Sequence, residues 1–326
     1  MIRELTVLTT ACTDPWQNLA LEAYLLDRVQ PGTCMLYLWQ NKNTVVFGRN
    51  QNAACECRLS LLLQDGGRAA RRLSGGGAVY HDLGNLNFTF LLPSEDFDMD
   101  RQFQVLTGAL EKFDIRAERS GRNDLTADEK KFSGHAFYHT GEKSCHHGTL
   151  MVSVDQNTMS RYLNVPPIKL KAKGVSSVRS RVVNLSDLNP QVRVPALQRA
   201  LVESFEETYG ASARIMQEEE IDPALLSSYI LKFSSPEWIY GKNRPAQYSR
   251  QARFAWGTAQ LDFSITDGCL SDPVLWTDSL ETDFPERIGS LLSGVTACPE
   301  EVEKALIRGG EKRDLASDIA SMFGES

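Results

Sequence analysis

The spacing of apolar residues changes repeatedly along the chain, and this constrains its fold most strongly. Apolar side chains occupy every second position from Leu86 to Leu92, which predicts a strand with one buried face. Between Phe103 and Phe113 they recur at helical spacing instead. Because strand and helix signals follow one another without the regular alternation of a parallel β-α fold, the pattern predicts an α+β fold.

Two hairpins are predicted from short strands that flank turn residues. Met35–Trp39 and Thr44–Phe47 are rich in β-forming residues, and Asn41–Asn43 between them is typical of a hairpin connection. Near the C-terminus, Asp267-Gly268 separates two further β-rich runs and is a strong hairpin signal.

Composition and charge exclude several classes of protein. The 326 residues are 42% apolar and 24% charged with a net charge of −7, a globular balance opposite in sign to that of most nucleic-acid binders. No apolar stretch reaches the ~18 residues of a membrane span, no signal peptide is recognisable, and the seven cysteines are irregularly spaced. We therefore expect a cytoplasmic protein that binds neither membranes nor nucleic acid. The breaker-rich segment 241–245 predicts a linker between domains at 1–246 and 247–326.

The most informative motif is residues 71–82, Arg-Arg-Leu-Ser-Gly-Gly-Gly-Ala-Val-Tyr-His-Asp. Three consecutive glycines leave the main chain open to a ligand, and two arginines supply donors for phosphate or carboxylate. The motif is neither a P-loop nor a dinucleotide fingerprint, because the required lysine and glycine spacings are missing. A flexible surface loop is the alternative, but strands at 78–81 and 86–92, expected to form a pair, favour a rigid binding loop.

Two further clusters could bind anions, and a third resembles a metal site. Lys131 opens a Lys-Phe-Ser-Gly run and could neutralise a carboxylate or phosphate, with a solvated lysine as the alternative. Five cations between residues 169 and 181, Lys173 among them, form a basic segment that either closes over a phosphate or remains a solvated loop. Cys145-His146-His147 with the Cys-x-Cys at 55–57 lacks the usual spacing of zinc ligands, so we expect no metal there.

Taken together and in this order, the motifs resemble the lipoate–protein ligase A family. The resemblance rests on residues 71–85, 121–125 (Gly-Arg-Asn-Asp-Leu), 131–136 (Lys-Phe-Ser-Gly-His-Ala), 146–149 (His-His-Gly-Thr) and 173–181. It implies a mixed β-sheet catalytic domain of the biotin/lipoate ligase type and a small α/β C-terminal accessory domain. The chain departs from the family pattern at Leu73, at Cys145 and at His135, where the family often has a small residue.

The resemblance also implies an activity and roles for individual residues. Lipoate and Mg-ATP would form lipoyl-AMP and pyrophosphate, and the lipoyl group would then pass to a lysine of an acceptor domain. Lys131 would lie where the carboxylate meets the α-phosphate and would be the catalytic residue. The residues implied for nucleotide binding are Arg72, Gly77, Ala78, Val79, Tyr80, Asn123, Lys131 and Lys173. Those implied for lipoate are Ser74, Gly75, Gly76, His81, Lys131 and His147. Asp124 is the implied ligand for Mg.

The same resemblance implies partners and leaves rival functions open. The expected acceptors are apo-lipoyl domains of 2-oxoacid dehydrogenase acyltransferase subunits or the glycine cleavage H protein, and octanoate is not separated from lipoate as substrate. One alternative is an ATP-independent octanoyl or lipoyl transferase of the same fold that forms a thioester at Cys145. Another is a non-catalytic protein that binds the adenylate or the acceptor.

Overall fold

The strand predicted over 86–92 lies in the middle of a large mixed sheet. The computed structural model describes residues 2–121, 123–164, 182–241 and 246–324. In its N-terminal part the strands are β1 (Glu4–Thr9), β2 (Thr33–Trp39), β3 (Thr44–Phe47), β4 (Arg68–Arg71), β5 (Val79–His81), β6 (Asn85–Pro93), β7 (Glu118–Ser120), β8 (Asp124–Ala127), β9 (Lys130–His139), β10 (Lys143–Met151) and β11 (Ala213–Ile215). Eight of them form one sheet in the order β11-β1-β2-β6-β10-β9-β8-β7, and β4, β3 and β5 form a second, smaller sheet.

Helices cover both faces of the large sheet. They are α1 (Pro15–Leu26), α2 (Ala53–Glu56), α3 (Leu59–Gln64), α4 (Met99–Glu111), α5 (Gln156–Tyr162), α6 (Leu185–Leu188), α7 (Val194–Tyr209), α8 (Pro223–Ser234) and α9 (Pro236–Tyr240). One apolar core lies between the sheet and the pair α4 and α7. A second core lies on the other face, beneath α1 and α8. The mixed sheet with flanking helices confirms the predicted α+β class.

β6 differs from the prediction of a single buried face, because all nine of its residues are buried. Its neighbours in the sheet are β2 and β10, so it is a central strand with helices above and below. Leu86, Phe88 and Phe90 point into the core beneath α4 and α7. On the α1 side, Asn87 and Thr89 are polar but equally buried, and Leu91 of the same face packs in the second core. The polar half of the pattern therefore marks a buried polar face rather than a solvent-exposed one.

The first predicted hairpin is wrong. β2 belongs to the large sheet and β3 to the small one, so the two strands do not pair. The connecting residue Asn41 is fully buried rather than exposed in a turn. Its side chain accepts a hydrogen bond from Asn18 and contacts His81, which satisfies its polar atoms in the interior. The predicted pairing of strands 78–81 and 86–92 is also wrong. β5 pairs with β3 in the small sheet, whereas β6 belongs to the large sheet.

The C-terminal unit is a three-stranded antiparallel sheet with three helices. It contains β12 (Tyr248–Phe254), β13 (Gly257–Thr266), β14 (Cys269–Thr277), α10 (Phe284–Leu292), α11 (Pro299–Arg308) and α12 (Arg313–Ser321). Asp267 and Gly268 connect β13 and β14 with positive φ angles of 51° and 78°, which confirms the second predicted hairpin. Residues 48–52 and 74–77 also belong to this unit, and the predicted boundary at 246 stays a prediction. In the part of the chain that is described, no helix has the length and hydropathy needed to cross a lipid bilayer.

Candidate active site

A row of hydrogen-bonded polar groups lies on the α1 face of the large sheet. Glu22 of α1 is 1% exposed, and its carboxylate accepts a 2.7 Å hydrogen bond from the Thr89 hydroxyl of β6. It also lies 2.8 Å from Nδ1 of His147 on β10. Trp39 of β2 donates from its indole nitrogen to the Thr89 oxygen at 3.1 Å. A buried carboxylate is tolerated when donors surround it, so these contacts allow Glu22 to lie on the buried face of α1.

His81 presents a neutral hydrogen-bond donor in this region. Asn18 donates from Nδ2 to two backbone carbonyls and to Oδ1 of Asn41, which turns the Asn41 amide nitrogen toward Nδ1 of His81 at 3.1 Å. Nδ1 therefore accepts, and the ring proton is on Nε2. Burial lowers the pKa of His81 to about 3, with smaller contributions from Arg72 and His147, so the ring is neutral at physiological pH.

Three buried polar atoms near this row have no hydrogen-bond partner among the described residues. They are Nε2 of His81, Oδ1 of Asn85 and Nδ2 of Asn87. Native interiors leave few such atoms unpaired, and each one needs an explanation. A polar ligand on the α1 face would supply the missing partners.

Arg72 and Arg71 differ in what they can do. Arg71 donates from Nε to the carbonyls of Trp238 and Ile239, both at 2.9 Å, so it fastens α9 to the small sheet. Arg72 is buried, and desolvation lowers its pKa to about 10 while Glu22 opposes this shift. Arg72 therefore remains a cation in the N-terminal unit, with Glu22 as its electrostatic counterpart.

The glycine run is partly explained by packing within the C-terminal unit. A Cβ at Gly75 would lie 2.1 Å from the carbonyl oxygen of Ser279, so no side chain fits there. The Gly76 amide donates to the same oxygen at 3.0 Å, and Gly76 has a φ of 89° that favours glycine. Ser74 is fully buried, whereas a Cβ at Gly77 would meet open space. Of the predicted anion-binding glycines, Gly76 thus uses its amide for an internal hydrogen bond in this structure.

The predicted nucleotide-binding residues after the glycines lead into β5, the last strand of the small sheet. Ala78 and Val79 are half-buried, and Val79 opens β5. The Tyr80 hydroxyl donates to Asn43 at 3.3 Å, and its ring lies 5.7 Å from that of Tyr162. These contacts hold the Tyr80 side chain of β5 against Asn43 and Tyr162.

Lys131 is held in a defined position on β9. Its ammonium lies 2.7 Å from Oδ1 of Asp124 on β8. A Cβ at Gly134 would lie 2.8 Å from the same ammonium, so the glycine of the Lys-Phe-Ser-Gly run makes room for the lysine. Asn123 donates from Nδ2 to the His135 carbonyl at 2.7 Å and accepts from the His135 amide at 2.8 Å, which joins β8 to β9. Lys131 and Asp124, predicted separately, are therefore an ion pair.

Cys145 is poorly suited to act as a nucleophile. It is buried, and desolvation raises the pKa of its thiol well above the usual range, with Glu22 acting in the same direction. Ligand atoms of Cys145, Glu22 and His147 lie within 4.8 Å of one another. His146 points to the opposite sheet face, so the adjacent histidines cannot both join this cluster. Because the Glu22 carboxylate already accepts from Thr89 and lies against His147, we interpret the cluster as a hydrogen-bonded network.

Sequence reasoning missed some residues of this site, and one prediction falls outside the described residues. Glu22, Asn41 and Thr89 were not predicted; a carboxylate within the apolar stripe of α1 was the available signal. The whole basic segment, Lys173 included, lies in 165–181, which is outside the described residues.

Comparisons with known proteins define the class. Residues 14–206 match the family model described as lipoyl protein ligase A/B catalytic domain, and residues 243–314 match bacterial lipoate protein ligase C-terminus. The chain is 39% identical to a lipoate-protein ligase A from Psychrobacter cryohalolentis, with 90% of this chain and 88% of the relative covered. It is 35% identical to a lipoate-protein ligase A from Bdellovibrio bacteriovorus, with 94% of this chain and 92% of that relative covered. The fold and site thus define a protein ligase with an accessory C-terminal unit.

Solved structures agree with this class. The P. falciparum protein LipL1 in complex with lipoate superimposes with a TM-score of 0.83 at 27% identity, covering 97% of this chain and 98% of that one. A lipoate-protein ligase A bound with ATP superimposes with a TM-score of 0.64 at 27% identity, covering 74% of this chain and 99% of that one. The chain belongs to the lipoate–protein ligase A family. The predicted family, fold class and ligase activity are therefore confirmed.

Proposed function

We propose that the chain activates lipoate with ATP and transfers the lipoyl group to a lysine of an acceptor domain. A lipoate carboxylate oxygen attacks the α-phosphorus of ATP, an O–P bond forms, and pyrophosphate leaves. The acceptor amine then attacks the lipoyl carbonyl, an amide forms, and AMP leaves. The observation that carries the proposal is the fixed Lys131 ammonium, because this reaction brings two anions together and a preorganised cation offsets their charge.

The lipoate side of the site needs polar groups that tolerate burial beside an apolar chain. We assign Ser74, Gly75, Gly76, His81, Lys131 and His147 to lipoate. The His81 Nε2 proton supports this assignment, since it is a neutral donor with no partner among the residues the structure describes. A bound substrate that accepts from it would remove the cost of leaving a buried donor unpaired.

The nucleotide side needs cations and open backbone. We assign it to Arg72, Gly77, Ala78, Val79, Tyr80, Asn123, Lys131 and Lys173. Arg72 supports the assignment because it remains charged while buried, where its attraction to a phosphate is screened least. Asp124 is the residue we propose to hold Mg²⁺, because this ion prefers carboxylate oxygen, and its charge would neutralise the ATP phosphates. Asp124 would then replace part of its contact with the Lys131 ammonium by a contact with the ion.

The partners follow from the same proposal. The acceptors would be apo-lipoyl domains of 2-oxoacid dehydrogenase acyltransferase subunits or the glycine cleavage H protein, in the cytoplasm. The catalytic domain would comprise residues 1–246 and the accessory domain 247–326.

One assay tests the proposal. Purified apo-lipoyl domain is incubated with the protein and lipoate, with and without Mg-ATP, and its intact mass is measured. We expect the lipoyl mass gain only with ATP, with pyrophosphate released in equal amount. Transfer from a lipoyl or octanoyl thioester without ATP would overturn the proposal in favour of the transferase. A parallel arm with octanoate measures chain preference.

A further inference from the structure

The strand that carries Lys131 contains a β-bulge. β8 and β9 pair as Asp124 with Gly134 and Leu125 with Ser133, but the next pair is Thr126 with Lys131. Phe132 is therefore an extra residue on β9, opposite no partner of its own. An extra residue interrupts the alternation of faces, so side chains beyond it point to the opposite side from a regular strand.

The bulge determines which face Lys131 occupies. In a regular strand, every second residue lies on the same face. Phe132 would then share the face of Gly134, and Lys131 would point to the opposite face. Instead Phe132 is fully buried in the core beneath α4 and α7. The Lys131 ammonium lies against Gly134 and Asp124. The bulge thus moves a cation out of the apolar core and onto the face with Gly134.

A chain of buried side chains fastens this bulge from the core side. The Ser133 hydroxyl lies 2.9 Å from Nε2 of His135, and Nδ1 of His135 lies 2.9 Å from Nε2 of His146 on β10. Nδ1 of His146 lies 2.7 Å from Oε1 of Gln102 on α4. Since the Gln102 oxygen only accepts, each histidine donates from Nδ1 and accepts at Nε2, and Ser133 donates to His135. The chain joins the bulge to a neighbouring strand and to a helix.

We infer that Ser133 and His135 are positioning residues that hold the bulge and, through it, the orientation of Lys131. The effect on catalysis rests on the proposed function, in which Lys131 stabilises the adenylation transition state. Without the Ser133 hydroxyl, His135 loses the donor at Nε2, and the bulge loses its side-chain hydrogen-bond link to His146 and Gln102. A misplacement of ~1 Å costs up to ~10²-fold in rate, so a loosened bulge should cost about 10-fold.

The test compares two buried serines. Ser144 on β10 is also fully buried, and its hydroxyl contacts Ser94 at 2.9 Å and His139 at 2.7 Å, neither of which belongs to the bulge. We expect Ser133→Ala to lower kcat for lipoate-dependent pyrophosphate release about 10-fold, and Ser144→Ala to stay within about 2-fold of wild type. Both should lower the melting temperature by similar amounts. An equal loss of activity in the two variants would overturn the inference.

A second comparison separates positioning from general damage. In a Lys131→Ala background, Ser133→Ala should cause no further loss of the residual rate, because the group it positions is gone. A further loss of about 10-fold there would show that Ser133 acts independently of Lys131. If the wild-type protein releases no pyrophosphate, the proposed function fails, and a crystal structure of Ser133→Ala decides the positioning role. A displaced Lys131–Asp124 pair supports it, and an unchanged pair refutes it.

Discussion

Acid should destabilise the N-terminal unit, because three histidines are buried there in neutral form. Burial lowers the pKa of His81 to about 3 and holds the pKa values of His135 and His146 well below the usual range. In the unfolded chain each titrates near its usual value of about 6.5. Below that pH the unfolded state binds more protons than the folded state, so the free energy of unfolding falls as the pH falls.

The magnitude follows from the number of sites. A histidine that stays neutral when folded loses about 1.4 kcal/mol of stabilisation between pH ~7.5 and ~5.5, so three lose about 4 kcal/mol. This is a large share of the roughly 5–15 kcal/mol of a typical domain. Above pH ~7.5 the contribution is nearly constant, since neither state binds these protons.

The assay is urea unfolding at three pH values, followed by tryptophan fluorescence. A Trp256→Phe/Trp276→Phe background restricts the signal to the N-terminal unit, which holds the other three tryptophans. His146→Gln should remove about a third of the pH dependence. His139→Gln, at a residue that is more exposed, should retain most of it. An unfolding free energy that stays constant or rises between pH ~7.5 and ~5.5 would refute the reasoning.

Three further predictions concern activity. Lys131→Ala should reduce lipoate-dependent pyrophosphate release by ~10²- to 10³-fold with an unchanged circular dichroism spectrum, and a wild-type rate would remove Lys131 from the mechanism. Gly134→Ala should cost about 10-fold at little cost in melting temperature, because its Cβ would lie 2.8 Å from the Lys131 ammonium and must displace it; full activity would show that the lysine position is not critical. Cys145→Ser should retain most ligase activity, whereas loss of activity together with a trapped thioester on the wild type would favour the transferase.

Local sequence signals predicted those elements whose geometry is set by neighbouring residues. Asp267-Gly268 adopts the positive φ angles that only a few residue types accept easily, so the hairpin was readable from two residues. The connection at Asn41–Asn43 has a similar composition but joins two sheets. The burial of Asn41 depends on Asn18 and His81, which are distant in sequence, and no local pattern reports such contacts.

The residues of the site also differ in whether the local sequence could predict them. Arg72 and Lys131 belong to contiguous motifs and could be selected from the sequence. The pairing of Lys131 with Asp124, and the role of Gly134 in making room for it, depend on the register of two strands. The polar face of β6 was misread because alternation shows which residues share a face but not what covers that face.

The opposite orientations of His146 and His147 limit how β10 can change in length. His146 belongs to the hydrogen-bond chain in one core, and His147 contacts Glu22 on the other face. Deleting or inserting a single residue within Lys143–Met151 would exchange the two faces and place both side chains among the wrong partners. Natural variation in this strand should therefore occur by substitution, and tolerated insertions should fall in the turn at 140–142.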